Sequence, residues 1–179
     1  RRARAPHLRT FRDGWRTLRL LLLYNPRGVF LFPGAVLVAL GLLGYALALP
    51  GVRVRGVAFD AHTLLFASLA LLVGFQALVS FLVTHAFAAS EGLVPPDRRV
   101  RRILDVARLE KGLLVALLAC VAGSVLLLVA VNQWRLAGFG ALDYARTMRW
   151  VIPGATLFML GVQSALSSFT LSLLAMQRR

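Results

Sequence analysis

The chain has 179 residues, of which 59% are hydrophobic and 16% are charged, and its formal net charge is +14. Soluble domains are about 45–50% apolar, so this composition indicates a single membrane domain. The net charge alone would suggest nucleic-acid binding. The distribution of the basic residues disfavours it, because nucleic-acid-binding proteins carry a basic face on a soluble fold, whereas these basic residues lie between apolar runs. Cys120 is the only cysteine, which excludes a disulfide framework and a thiolate metal site.

A basic segment precedes the first apolar run, and residues 1–28 are predicted to be a cytoplasmic basic arm with an amphipathic interface helix. Its apolar face would carry Phe11, Trp15, Leu18 and Leu22. Phe11 and Trp15 are the candidate interface anchors, since such a helix lies with its apolar side in the acyl boundary. The candidate lipid-phosphate ligands are Arg12, Arg16 and Arg19, because guanidinium groups bind phosphate through forked hydrogen bonds. Generic anchoring to anionic lipid explains the same pattern.

Four long apolar runs predict four transmembrane helices, since each reaches the ~20 residues that a helix needs to cross a ~30 Å hydrocarbon layer. They are residues 29–49, 63–89, 112–131 and 151–175. Pro33 and Pro153 are expected in the opening turns of the first and fourth spans, where a missing N–H costs little. The fold class is therefore all-α: a polytopic membrane protein with a four-helix transmembrane domain over residues 29–179.

The stretch at about residues 97–110 is predicted to form a second amphipathic interface helix, although a solvated charged face that sets the topology is the favoured explanation of its charges. Of the 21 Lys and Arg residues, sixteen lie in the two ends and in the loop after the second span. The positive-inside rule then places both termini on the cytoplasmic side of the cytoplasmic (inner) membrane. The chain starts without Met on a charged segment, so we expect it to be the back part of a longer protein.

Polar residues inside the spans are few, and they could line a path for a polar headgroup or bond neighbouring helices. They are Gln76, Ser80, Gln163, Ser164, Ser167, Ser168 and Thr170. The triplet that begins at Gly74 recurs as Gly-x-Gln at Gly161, a faint sign of two related hairpins. The seven acidic residues contain no Asp-x-Asp and no carboxylate pair. No catalytic residue and no metal ligand is therefore assigned in this chain.

The stretch Phe11–Arg19, followed by Tyr24-Asn25-Pro26, resembles the junction after the catalytic head of bacterial family 2 glycosyltransferases related to dolichyl-phosphate mannose synthase. Further matching pieces are Asp60–Phe66, Gly74–Gln76 and Glu91–Gly92–Leu93. The resemblance implies a cytosolic head that binds a nucleotide sugar with a divalent cation and transfers the sugar to a polyprenyl phosphate. It implies that this chain is the membrane half, which anchors the protein, docks its own head and admits the lipid acceptor. No cofactor is expected in the chain itself.

Two other functions stay open at this stage. A self-contained four-span transporter or flippase for lipid-linked sugars would need a polar track among the spans. A membrane anchor without a ligand would tolerate the loss of Arg12, Arg16 and Arg19. Membrane lipids are expected partners in every case, nucleic acid is not, and a homo-oligomer is left open.

Overall fold

The computed structural model describes residues 13–18, 25–54, 57–92 and 109–176. Its long helices are α1 (Phe32–Ala48), α2 (Ala61–Ser90), α3 (Leu109–Leu136) and α4 (Tyr144–Met176). A π-helical turn, Arg27–Leu31, leads directly into α1. Four helical segments are long and apolar enough to cross a membrane. The all-α class and the four transmembrane helices predicted from the sequence are confirmed.

Helices α2, α3 and α4 extend beyond the apolar runs, since the backbone continues its hydrogen bonding into flanking residues. The largest difference is at α4, which begins at Tyr144 rather than near residue 151. Pro153 consequently lies inside α4, and its expected place in the opening turn is wrong. Because proline lacks an N–H, the carbonyl of Arg149 loses its intrahelical partner at this point.

The entry to α1 is organised by Asn25 and Pro33. The backbone N–H of Gly28 donates to Asn25 Oδ1 at 3.1 Å, which caps the first turn. The N–H of Phe32 donates five residues back to the carbonyl of Arg27, as in a π-helix. Pro33 follows in the first turn of α1, where its missing N–H is tolerated.

A small antiparallel hairpin connects α1 to α2. Strand β1 (Arg53–Val54) pairs with β2 (Val57–Ala58). The alternation of valine and arginine from Val52 is too short to predict a strand by itself, yet this stretch forms one because the connection brings its partner alongside. Gly51, with φ +69°, turns the chain out of α1.

Small residues let the helices approach closely within each hairpin, α1 with α2 and α3 with α4. At five helical glycines, the fifth being Gly44, an added Cβ would lie within 3 Å of the facing helix, the close approach that glycine permits between membrane helices. Four of them form two equivalent sets of contacts. The facing pairs are Gly41 with Ala67, Gly74 with Val38, Gly123 with Gly154, and Gly161 with Cys120. The pairs of the first hairpin recur in the second at a constant sequence offset within each helix. The faint duplication seen in the sequence is thus matched by equivalent helix contacts.

The two hairpins meet mainly through α2 and α4. Helices α2 and α4 run in the same direction, so both hairpin connections lie at one end of the bundle. We call it the hairpin end, with residues 49–54, 57–60 and 137–143. The opposite end is the termini end, with residues 25–31, 90–92 and 109–111. Many large apolar side chains of all four helices are exposed on the outside of the bundle, as expected for a surface that faces lipid.

Candidate functional site

The basic arm is described only in part. Residues 13–18 are helical, in agreement with the amphipathic helix predicted there. Trp15 is 57% exposed and Arg16 is also exposed, so both are accessible to a membrane surface. Phe11, Arg12 and Arg19 lie outside the described residues, as does most of the second predicted interface helix. The structure therefore places one of the three candidate phosphate ligands.

An ion pair joins the two hairpins at the hairpin end of the bundle. Arg149 Nη2 of α4 lies 3.5 Å from Asp60 Oδ1, at the start of α2. The two side chains are 35% and 39% exposed, so solvent screens the attraction to about 1 kcal/mol or less. His62, two residues from Asp60 in the sequence, is exposed, and the Asp60 carboxylate faces Arg149.

About two turns deeper, three hydroxyl groups connect α1, α2 and α4. Tyr45 Oη donates to Thr156 Oγ1 at 3.0 Å and lies 2.7 Å from Ser68 Oγ. Ser68 and Thr156 each donate to a carbonyl in the preceding turn of their own helix. Both are buried. Every hydroxyl therefore has a partner, which is what an interior group needs at this depth.

Sequence analysis missed this hydroxyl network, although a signal for it exists. Arg149, Thr156 and Gln163 follow one another at seven-residue spacing, which places them on one face of α4. Arg149 contacts Asp60 at the start of α2, and Thr156 contacts Tyr45 of α1. This face of α4 is therefore turned towards the first hairpin. A polar residue every seventh position in an otherwise apolar helix indicates such a buried face.

Four further span hydroxyls are bonded within their own helices. They donate to the carbonyl four residues earlier: Ser80 to Gln76, Ser167 to Gln163, Ser168 to Ser164, and Thr170 to Leu166. Their protons are therefore already used. This arrangement favours packing over a continuous polar track, and so weakens the transporter hypothesis.

Three buried polar atoms have no hydrogen-bond partner within the described part of the chain: His85 Nε2, Arg149 Nε and Gln163 Oε1. The side chain of His85 is only 3% exposed. Its ring lies against Phe81 with centroids 5.7 Å apart, so the imidazole is enclosed within the bundle near the termini end of α2.

Within residues 13–18, 25–54, 57–92 and 109–176, no group of three or more His, Cys, Asp or Glu side chains could hold a metal ion. What these residues do form is a lipid-facing bundle of two similar hairpins, preceded by an exposed basic and aromatic helical segment. These features define a polytopic membrane region whose described polar groups serve helix packing.

The comparisons with known proteins name the family. The family described as "Glycosyltransferase family 2 C-terminal transmembrane region" matches residues 82–175, and the chain belongs to it. The chain is also 29% identical over 165 residues to the low-salt glycan biosynthesis hexosyltransferase Agl6 of Haloferax volcanii. That match covers 92% of this chain and 39% of the relative, so the chain spans about two fifths of its length. No solved structure matches the chain.

The chain is thus a transmembrane region of the family 2 glycosyltransferase type. The resemblance drawn from Phe11–Arg19 and the later pieces is confirmed at the level of the family. The multi-pass membrane location is confirmed with it.

Proposed function

We propose that this membrane region docks a polyprenyl phosphate and presents the phosphate oxygen to the catalytic head of the same protein. The head would transfer a sugar to that oxygen from a nucleotide sugar, with the help of a divalent cation bound outside this chain. The Haloferax relative is named as a hexosyltransferase, which supports a hexose as the sugar. Membrane anchoring and acceptor docking are the two tasks of the region.

The observation that carries this proposal is the helical segment at residues 13–18, just before the π-turn that opens the first span. It exposes an indole and a guanidinium next to each other in sequence. Arg12 and Arg19, four residues before and three after Arg16, belong to the same face if the helix continues. Three guanidinium groups at the hydrocarbon boundary would neutralise the phosphate and set its depth.

Positioning would be the main contribution to catalysis. Sugar transfer requires the acceptor oxygen to sit close to the anomeric carbon, and a fixed geometry lowers the barrier by several kcal/mol. The spans would keep the prenyl tail in lipid while the head receives only the charged end. Both termini and the catalytic head then belong on the cytoplasmic side, as the distribution of arginine indicates.

Generic anchoring is the competing role for the arginines, and the fold argues against it. Four spans of 22 to 31 residues insert far more firmly than an interfacial helix. Removal of three surface arginines therefore should not release the protein from the membrane. An effect of such a change on catalysis would reflect contact with the acceptor.

The test uses the full-length enzyme with Arg12, Arg16 and Arg19 all changed to Gln. A charge-assisted hydrogen bond is worth about 1.5–3 kcal/mol, so we expect kcat/KM for polyprenyl phosphate to fall by roughly tenfold or more. KM for the nucleotide sugar should stay within about twofold, because the head is untouched.

A matched control removes the same charge elsewhere. Arg53, Arg135 and Arg146 are exposed near the hairpin end, and their joint change to Gln should leave both kinetic constants unchanged. Equal losses in the two triple variants would indicate a general effect of charge. An unchanged acceptor kcat/KM in the arm variant would exclude phosphate binding by these arginines.

A further inference from the structure

The outer face of α2 carries an unusual polar group. Gln76 lies near the middle of α2, Ala61–Ser90, and its side chain is exposed. No hydrogen bond to its amide is present within the described residues. A primary amide with no partner in hydrocarbon costs several kcal/mol, so an exposed glutamine at mid-span calls for a partner outside this bundle.

The neighbours of Gln76 form a regular seam, which we name the α2 stripe: Phe66, Leu69, Val73, Gln76 and Ser80. The spacing alternates between three and four residues, the pattern by which one helix packs along another. Phe66, Leu69 and Val73 are 70%, 50% and 56% exposed. The stripe extends over about 20 Å at 1.5 Å per residue, which is most of the hydrocarbon layer.

We propose that the α2 stripe is the contact surface for a second copy of this chain. The topology of a membrane protein is the same in every copy, so two α2 helices meet in parallel and in register about a two-fold axis. Gln76 then faces Gln76 of the second copy. Because an amide both donates and accepts, the pair satisfies itself with two reciprocal hydrogen bonds.

A polar residue at one position of an apolar seam fixes register and partner number, which is the role assigned here to Gln76. The prenyl chain of an acceptor offers no donor or acceptor and leaves the amide unpaired. Gln163, at the matching place in the second hairpin, does not offer an equivalent surface. Its Oε1 atom is buried, whereas the side chain of Gln76 is exposed.

Cysteine cross-linking in native membranes tests the contact. In a full-length protein with Cys120→Ala and no other cysteine, single changes Leu69→Cys, Val73→Cys and Gln76→Cys are oxidised in turn. We expect disulfide-linked dimers at each position. Val121→Cys is the control, since Val121 is 53% exposed on the outside of α3 at a similar depth, and little dimer is expected there.

The amide itself is tested by Gln76→Leu, which keeps the size of the side chain and removes its hydrogen bonds. An interhelical hydrogen bond in a membrane corresponds to roughly a threefold to thirtyfold change in association. We expect a loss of that size in the dimer fraction, measured by single-molecule photobleaching in liposomes at fixed protein-to-lipid ratio. Gln76→Asn should restore much of the association.

Three results would overturn the proposal. They are cross-linking along the stripe no greater than at Val121→Cys, stripe cysteines that link only to a different protein, and a dimer fraction unchanged by Gln76→Leu. The proposal is independent of acceptor docking by the arm, because the two experiments change different residues and measure different quantities.

Discussion

At Tyr45, one phenolic hydroxyl joins three helices. Its oxygen lies within hydrogen-bonding distance of Ser68 on α2 and Thr156 on α4. Ser68 and Thr156 also bond their own helices, so loss of the tyrosine hydroxyl would not orphan them. The network therefore contributes mainly to how the two hairpins are placed, and only modestly to stability.

We predict that Tyr45→Phe lowers the free energy of unfolding by about 0.6–2 kcal/mol, the range for interhelical hydrogen bonds in membranes. A double-mutant cycle with Thr156→Val, measured by SDS unfolding in mixed micelles, should show a coupling of similar size. Tyr144→Phe is the control, because Tyr144 is 60% exposed at the start of α4. A coupling energy of zero would show that the hydroxyl contact does not stabilise the bundle.

At the scale of elements, close approach of backbones defines each hairpin. A Cβ added to Gly123 would lie 2.5 Å from the backbone nitrogen of Phe158 and 2.7 Å from the carbonyl oxygen of Gly154. Both are backbone atoms, so they cannot swing aside as a side chain can. The equivalent position in the first hairpin is Gly41, next to the carbonyl of Ala67.

Gly123→Ala is therefore expected to push α3 and α4 apart and to cost about 1–3 kcal/mol of stability, as overpacking does. The same substitution at Gly14 is the control, since nothing lies within 4 Å of its added Cβ. There, replacement of a helical glycine by alanine should be neutral or stabilising by up to about 1 kcal/mol. Thermal unfolding in detergent, followed by circular dichroism, compares the stabilities of the Gly123→Ala and Gly14→Ala variants. Equal stability of the two variants would contradict close packing at Gly123.

At the scale of the whole molecule, an even number of spans puts both ends of the chain on one face of the membrane. The hairpin end of the bundle then lies on the opposite face. Residues 137–143 connect α3 to α4 at the hairpin end, and Glu91 follows α2 at the termini end. Arginine is concentrated towards the termini end, and this bias sets orientation during insertion.

Cysteine labelling in intact cells tests this arrangement. In the Cys120→Ala background, Ala141→Cys should react with a membrane-impermeant maleimide, whereas Glu91→Cys should react only after the cells are opened. Both sites are exposed, so a difference in labelling reports sidedness and not burial. The reverse pattern would invert the orientation, and labelling of both from outside would contradict the paired hairpins.

The amino-acid sequence by itself determined the number of spans, their approximate limits and the family. These properties follow from runs of apolar residues, from arginine between them and from the motif around Phe11–Arg19, all of which are local in the chain. The sequence also predicted a helix in the arm, and residues 13–18 are helical. The phosphate-binding role of Arg12, Arg16 and Arg19 stays a prediction.

Only the tertiary structure decided which polar residues meet. Asp60 and Arg149 are far apart in the chain, as are Tyr45 and Thr156, and no local pattern specifies such pairs. His85 is buried, which its position in the sequence does not reveal, and Pro153 was expected at a helix start and lies inside α4. The physical reason is the same in each case: hydropathy says how deep a residue lies along its own helix, whereas rotation and neighbours are settled by the packing of one hairpin against the other.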